Sequence, residues 1–253
     1  MLLNPNDYDY RYFKQNRGKE GDSGPIYFGK PKLKELCPIL VKSYALTDAI
    51  NEYIGCNVAR RIGVNAPRAW LFERWYPDFD KLDFEKAVAI EYLDFSKESG
   101  DEFDDTEKLA KQSIKCAIFH RLMYEREDTS YAIVNGDVFT FDFANGMLPQ
   151  YFVGTNNSEK RYNGFTKLGY EIMKWQHDSR KNAIDYLKKK EAQGEYKGLA
   201  TSAYMELRER FIEEYNNNEF LDLIVDILEA FGVEYAHVAE IMIDSMQQAL
   251  VAF

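Results

Sequence analysis

Three charged side chains stand where they could serve one reaction. Lys42 interrupts the apolar run Ile39-Leu40-Val41-Lys42-Ser43-Tyr44, and an ammonium inside such a run costs stability unless it meets an anion. Glu52 follows in a segment of helical periodicity, on the turn that could face that run. A strand lysine held by a helix glutamate is a fixed cation of the kind that meets charge developing on a transferring phosphoryl group. Asp142 ends the run Val138-Phe139-Thr140-Phe141 and precedes Phe143-Ala144-Asn145-Gly146. A carboxylate there could hold Mg²⁺, a hard ion that takes few protein ligands and completes its shell with phosphate oxygens. Between them, Glu125, Glu127 and Asp128 form a dense carboxylate segment. Asp128, or else Glu127 or even Glu125, is a candidate to orient an acceptor hydroxyl, a task of positioning more than of proton affinity. Gly18, Gly21 and Gly24 precede an apolar run, and backbone N–H groups freed by glycine could cradle phosphates. The bland alternatives are a solvent-facing edge-strand lysine, an exposed helix glutamate and a glycine-rich connector. Lys30, Lys32 and Lys34 read as a solvated turn.

These groups must be positioned by regular elements, and the periodicity supplies them. Pro25 to Phe28 and Cys37 to Tyr44 read as strands joined by the basic turn. Ala49, Ile50, Tyr53, Ile54, Val58, Ala59 and Ile62 recur at helical spacing between Thr47 and Gly63, with Thr47 or Asp48 as N-cap and Gly63 as stop. Two further strands, Ala66 to Trp75 and Lys86 to Phe95, flank a Pro77/Asp78/Asp80 turn and predict a hairpin. After the acidic stretch 99–105, a second helix runs from Glu107 to about Tyr124. Tyr131 to Val134, Asn135-Gly136 and Val138 to Asp142 form the strongest hairpin signal, because Asn-Gly accepts the positive φ angles of a tight turn. The region from about Phe165 to Phe253 reads as four helices, with breaks at 194–198, 216–218 and 232–233. The stripes Phe220, Leu223, Ile224, Ile227, Leu228, Phe231 and Val238, Ile241, Met242, Ser245, Met246, Leu250 are assigned to core.

Composition narrows the classes. The 253 residues suffice for one large domain or two modest ones with a substantial core. Lys+Arg at 32 against Asp+Glu at 42 leaves a net charge of −10, which argues against direct nucleic-acid binding because such affinity comes from neutralising phosphates. The N-terminus lacks the basic and apolar regions of a signal peptide and no segment offers eighteen uninterrupted apolar residues, so a cytoplasmic protein without membrane contact is expected. Cys37, Cys56 and Cys116 are odd in number and far apart, and His120, His177 and His237 lack metal-site spacing. Buried free thiols and surface or helix-packing histidines are expected.

A β-rich N-terminal third with one helix, an acidic linker and a helical remainder with one hairpin is the layout of a two-lobed protein kinase. Phe141-Asp142-Phe143-Ala144 resembles the metal-binding Asp-Phe-Gly segment of kinases, with Ala144 in place of glycine. Val41-Lys42, then Ile50-Asn51-Glu52-Tyr53-Ile54-Gly55, then Ala59 to Pro67 resemble the N-lobe of the HipA-like serine/threonine kinases, in which a strand "VK" precedes a helix beginning "NEY" and a segment "LGIPVP". The similarity, to small members of the CtkA type, covers roughly residues 24–147. It implies an α+β, two-lobed fold with an N-lobe over 1–97 and a helical C-lobe over 98–253. It further implies Lys42 on the phosphates of ATP, Glu52 fixing Lys42, Gly21 and Gly24 at the phosphates, Glu91-Tyr92-Leu93 as an adenine-facing hinge, Asp142 on Mg²⁺, and a protein hydroxyl or the chain itself as acceptor. An antitoxin-like partner is compatible with it.

The chain departs from the family where the catalytic loop belongs. The family pattern resembles N-x-D-R-H-x-x-N, whereas Glu125 to Ala132 contains no Arg-His pair and no second Asn. Asp128 stands 142 − 128 = 14 residues before Asp142, a short span. The expected function is therefore an ATP- and Mg²⁺-dependent phosphotransferase. The alternatives are a nucleotide-binding pseudokinase or interaction module that keeps the fold without turnover, and an unrelated α+β binding protein.

Overall fold

The structure is a computed structural model and describes residues 2–12, 26–43, 46–72, 87–94, 97–98, 107–123, 131–143, 189, 191–194 and 198–230. Strands β1 (Leu2–Leu3), β2 (Tyr8–Tyr12), β3 (Ile26–Pro31), β4 (Ile39–Ser43), β5 (Ala69–Phe72) and β6 (Ala87–Glu91) form one sheet in the order β1-β5-β6-β4-β3-β2. All neighbours are antiparallel except β1 and β5. β1 and β2 lie at opposite edges, yet only Asn4 and the 3₁₀ turn Pro5–Asp7 separate them. Five residue steps reach at most roughly 17 Å, whereas the edges of a flat six-stranded sheet lie roughly 24 Å apart. The sheet must therefore curl.

Curling buries both faces. Leu3, Tyr8, Ile39, Val41, Phe72 and Ala89 form one cluster, while Ala69, Leu71, Val88 and Ile90 join the main core on the other side. Residues of β5 and β6 thus alternate between two apolar environments, which is why these strands read as near-continuous apolar runs.

Helix α1 (Leu46–Arg61) packs against that second face. Its end is set by Gly63, whose φ of +80° is left-handed, with Val64 N–H donating back to the Ala59 carbonyl at 2.8 Å. A second sheet, in the order β7-β8-β9, contains Lys97–Glu98, Tyr131–Val134 and Asp137–Thr140. Helices α2 (Glu107–Met123), α3 (Leu199–Asn216) and α4 (Glu219–Ala230) complete the described elements. One hydrophobic core runs through α1, α2, β5, β6, β9, α3 and α4. On its surface Glu206 of α3 pairs with Lys111 and, at 2.6 Å, with Lys115 of α2; these hydrogen bonds hold its carboxyl well below the usual carboxylate range.

The chain is thus a mixed α+β protein. The expected first helix, second helix and Asn-Gly hairpin are present, with Asn135 at φ +52° and Gly136 at φ +79° in the turn. The strands expected over 25–28, 37–44, 66–75 and 86–95 are present, with bounds differing by a few residues. β1, β2 and β7 were not anticipated. Tyr8, Tyr10 and Tyr12 alternate with Asp9 and Arg11, but a five-residue alternation becomes a strand only because β3 pairs with it. The Asn217-Asn218 break separates α3 from α4, with Asn218 at φ +59°. Of the C-terminal stripes, Phe220, Leu223, Ile224 and Ile227 are buried core, and the stripe from Val238 onward lies outside the described residues. Among the described residues no helix is long and apolar enough to cross a membrane.

Candidate functional site

Asp142 is positioned by strand β9, whose register is held from outside its sheet as well as within it. Gln112 of α2 accepts from Val138 N–H at 3.0 Å and donates to Asp137 Oδ1 at 2.7 Å. Lys108 pairs with Asp137 at 2.6 Å. On the edge away from β8, Asn65 Nδ2 donates to the Val138 carbonyl at 3.1 Å, and Thr140 N–H donates to the Asn65 carbonyl at 2.9 Å. Asn65 thereby satisfies two backbone groups on the free edge of β9.

Beyond Thr140 the backbone turns sharply. Asp142 has φ +70°, a left-handed conformation that aspartate tolerates better than most L residues. The turn leaves the Asp142 side chain half-buried and sends Phe143 into the core. There the Phe143 ring meets Phe119 edge-to-face at 5.5 Å and lies 5.0 Å from the His120 ring, both on α2. His120 Nε2 in turn pairs with the Thr140 hydroxyl. On the other side lies α1: a Cβ at Gly55 would fall 2.4 Å from Phe143 Cγ, so the ring occupies the space that any other residue would fill.

Glu52 closes the arrangement. Its side chain is fully buried, and Oε2 accepts the Phe143 backbone N–H at 2.8 Å while the Cys56 thiol lies 3.9 Å from Oε1. A carboxylate accepting an amide proton away from water forms a strong, charge-assisted hydrogen bond. Glu52→Ala is expected to lower the unfolding free energy by about 1–3 kcal/mol, because it strands a buried donor. Glu52→Gln keeps an oxygen at that place and is expected to lose less than half as much. Urea denaturation of both variants checks this, and equal losses would show that the carboxylate charge, not the hydrogen bond to Phe143, sets the effect.

The other candidate residues fall into three groups. Lys42 lies in β4, with its backbone opposite Ile26 on β3 and Val88 on β6. Gly21 and Gly24 lie outside the described residues, but the connection that carries them joins antiparallel β2 to β3, and Ile26 at its end is the register partner of Lys42. Asp128, Glu127 and Glu125 also lie outside the described residues. At the end of β6, the Glu91 carboxylate is held by Arg68 in a bidentate pair at 3.0 and 3.1 Å, with Arg68 also over the Trp70 ring. Arg68 thereby engages both oxygens of the Glu91 carboxylate. Tyr92 N–H donates to the Pro38 carbonyl at 2.9 Å, and its ring meets Phe28 edge-to-face at 5.1 Å.

The structure therefore brings Glu52 and the Asp142-Phe143 pair together and adds residues to which the sequence assigned no role: Gly55, Asn65 and Gln112. Only Gly55 carried a signal. A glycine inside a helix costs about 1 kcal/mol relative to alanine, and such a cost marks close packing. Among the described residues no group of three or more His, Cys, Asp or Glu could hold a metal ion. Asp142 is a single carboxylate that could serve as one ligand of Mg²⁺, an ion that usually takes one or two protein carboxylates and completes its shell with phosphate and water. Cys56 and Cys116 are buried free thiols, Cys116 pushed up to about 12 by burial, and Cys37 is half-buried. His120 packs inside the core between α2 and β9. No protein-family model matches the chain, and no curated protein or solved structure matches it.

Proposed function

We propose that the chain is an ATP- and Mg²⁺-dependent phosphotransferase of the HipA-like serine/threonine kinase type, with a two-lobed fold, acting on a protein hydroxyl or on itself. The observation that carries this reading is the Glu52 to Phe143 hydrogen bond. It ties the helix that follows the Lys42 strand to the residue next to Asp142, so the candidate phosphate-binding and metal-binding segments share one rigid support. The β-rich N-terminal part with a single helix, and the hairpin directly before Asp142, are the layout the reading requires. The glycine-bearing connection that ends opposite Lys42 adds to it.

In this reading Lys42 meets the phosphates, Glu52 holds Lys42 and α1, and the Gly21–Gly24 connection covers the phosphates with its N–H groups. Asp142 holds Mg²⁺, which neutralises phosphate charge when bound. The main chain of Glu91 to Leu93 faces the adenine, and Asp128 or Glu127 orients the acceptor hydroxyl. A second reading, a nucleotide-binding pseudokinase, draws on the missing Arg-His pair and Asn between Glu125 and Ala132.

Calorimetric titration of ATP, with and without Mg²⁺, into the wild type and Asp142→Ala is the test. Binding that needs Mg²⁺ and is lost in the variant is the expected result, and transfer of phosphate to a protein then separates the kinase from the pseudokinase. Binding indifferent to Mg²⁺ favours the pseudokinase. No binding by a folded wild type overturns both.

A further inference from the structure

Helix α1 is held from two sides. Glu52 and Gly55 engage Phe143, as described. At its C-terminal end, Arg61 Nη1 donates to Glu214 near the end of α3 at 3.2 Å and to Glu219, the first residue of α4, at 2.5 Å. The Arg210 side chain of α3 lies over the stop of α1, where a Cβ on Gly63 would fall 2.9 Å from its Nη1. Tyr53, next to Glu52, is buried. Phe220, Ile224 and Ile227 of α4 lie in the core that also contains Ile50, Ile54 and Phe143. Helix α1 is thus in contact with α3 and α4 at its C-terminal end and with Phe143 at Glu52 and Gly55.

We propose that Arg61 is a positioning residue: by clasping the α3–α4 junction it sets where α1 lies, and through Glu52 it sets how firmly Phe143, and with it Asp142, is held. The consequence for nucleotide affinity rests on the phosphotransferase reading; the consequence for Phe143 does not.

The test reads the backbone amide exchange of Phe143 by NMR, together with ATP affinity in the presence of Mg²⁺. Arg61→Glu places a third carboxylate between Glu214 and Glu219 and is expected to speed exchange at Phe143 about tenfold, as loss of two ion pairs plus repulsion implies. ATP binding should weaken by a similar factor. Combining Arg61→Glu with Glu219→Arg re-forms a pair and should restore both. Glu206→Gln, which removes half-buried ion pairs between α2 and α3 without touching α1, should leave Phe143 unchanged. Unchanged exchange in Arg61→Glu, failure of the swap to restore it, or an equal effect of Glu206→Gln would each overturn the proposal. If Arg61→Glu does not fold, Arg61→Gln is read by the same criteria with a smaller acceleration. A wild type that binds no ATP defeats the phosphotransferase reading alone, because the exchange measurements need no nucleotide.

Discussion

Phe143→Ala is expected to remove about 3–5 kcal/mol of folding free energy, a large share of the roughly 5–15 kcal/mol typical of a native protein. The ring is fully buried between α1 and α2 and stacks edge-to-face on Phe119, so its loss forfeits burial and packing together. The resulting cavity has little with which to refill itself, because Gly55 on its α1 wall has no side chain to move in. Phe143→Leu keeps most of the volume and is expected to cost less than about 1.5 kcal/mol. Denaturant unfolding of both variants checks the pair of values. A loss below about 1 kcal/mol in Phe143→Ala would show that the ring does not fill this space. The same substitution frees the chain after Asp142, so under the proposed function it should also weaken Mg²⁺-dependent ATP binding.

Gly55→Ala has an expected sign opposite to that given by helix propensity. Inside a helix, alanine is favoured over glycine by about 1 kcal/mol, and an unobstructed site would gain by it. Here the new Cβ would lie 2.4 Å from Phe143 Cγ and 2.5 Å from Phe143 Cβ. Those atoms are the root of the side chain, so the Phe143 backbone must retreat and stretch its hydrogen bond to Glu52. A net destabilisation of about 1–3 kcal/mol is expected, the usual range for overpacking. The double mutant decides the cause. In the Phe143→Ala background the contacts at Cγ and Cδ2 are gone but the one at Cβ, 2.5 Å, stays, so Gly55→Ala should cost less there without becoming stabilising, giving a coupling energy of about 0.5–3 kcal/mol. Stabilisation by Gly55→Ala in the wild-type background would mean that Phe143 is not packed on α1.

Much of this architecture was legible before any tertiary contact. Helices α1 and α2 follow from apolar residues at helical spacing, the β8–β9 hairpin from Asn135-Gly136, and the end of α3 from the asparagines at 217 and 218. Each is a local matter: dihedral preference, or which face of one segment is apolar. The same reasoning selected Glu52 and Asp142, because a charged residue in or beside an apolar run must have a partner or a task. It missed β1 and β7, which at two residues each are too short to show a period, and β2, whose strand character depends on pairing with β3 across a long connection.

The amino-acid sequence by itself determined helices α1 and α2 and the tight turn before Asp142. Only the tertiary structure decided that Glu52 accepts the Phe143 amide, that Gly55 exists to admit the Phe143 ring, and that Asn65 and Gln112 hold the strand leading to Asp142. The Glu91 carboxylate belongs to the same class, since Arg68 takes it. The reason is physical. Backbone preferences and periodicity act between near neighbours in the chain, whereas a hydrogen-bond partner or a steric fit joins residues tens of positions apart and comes into being only when the core closes.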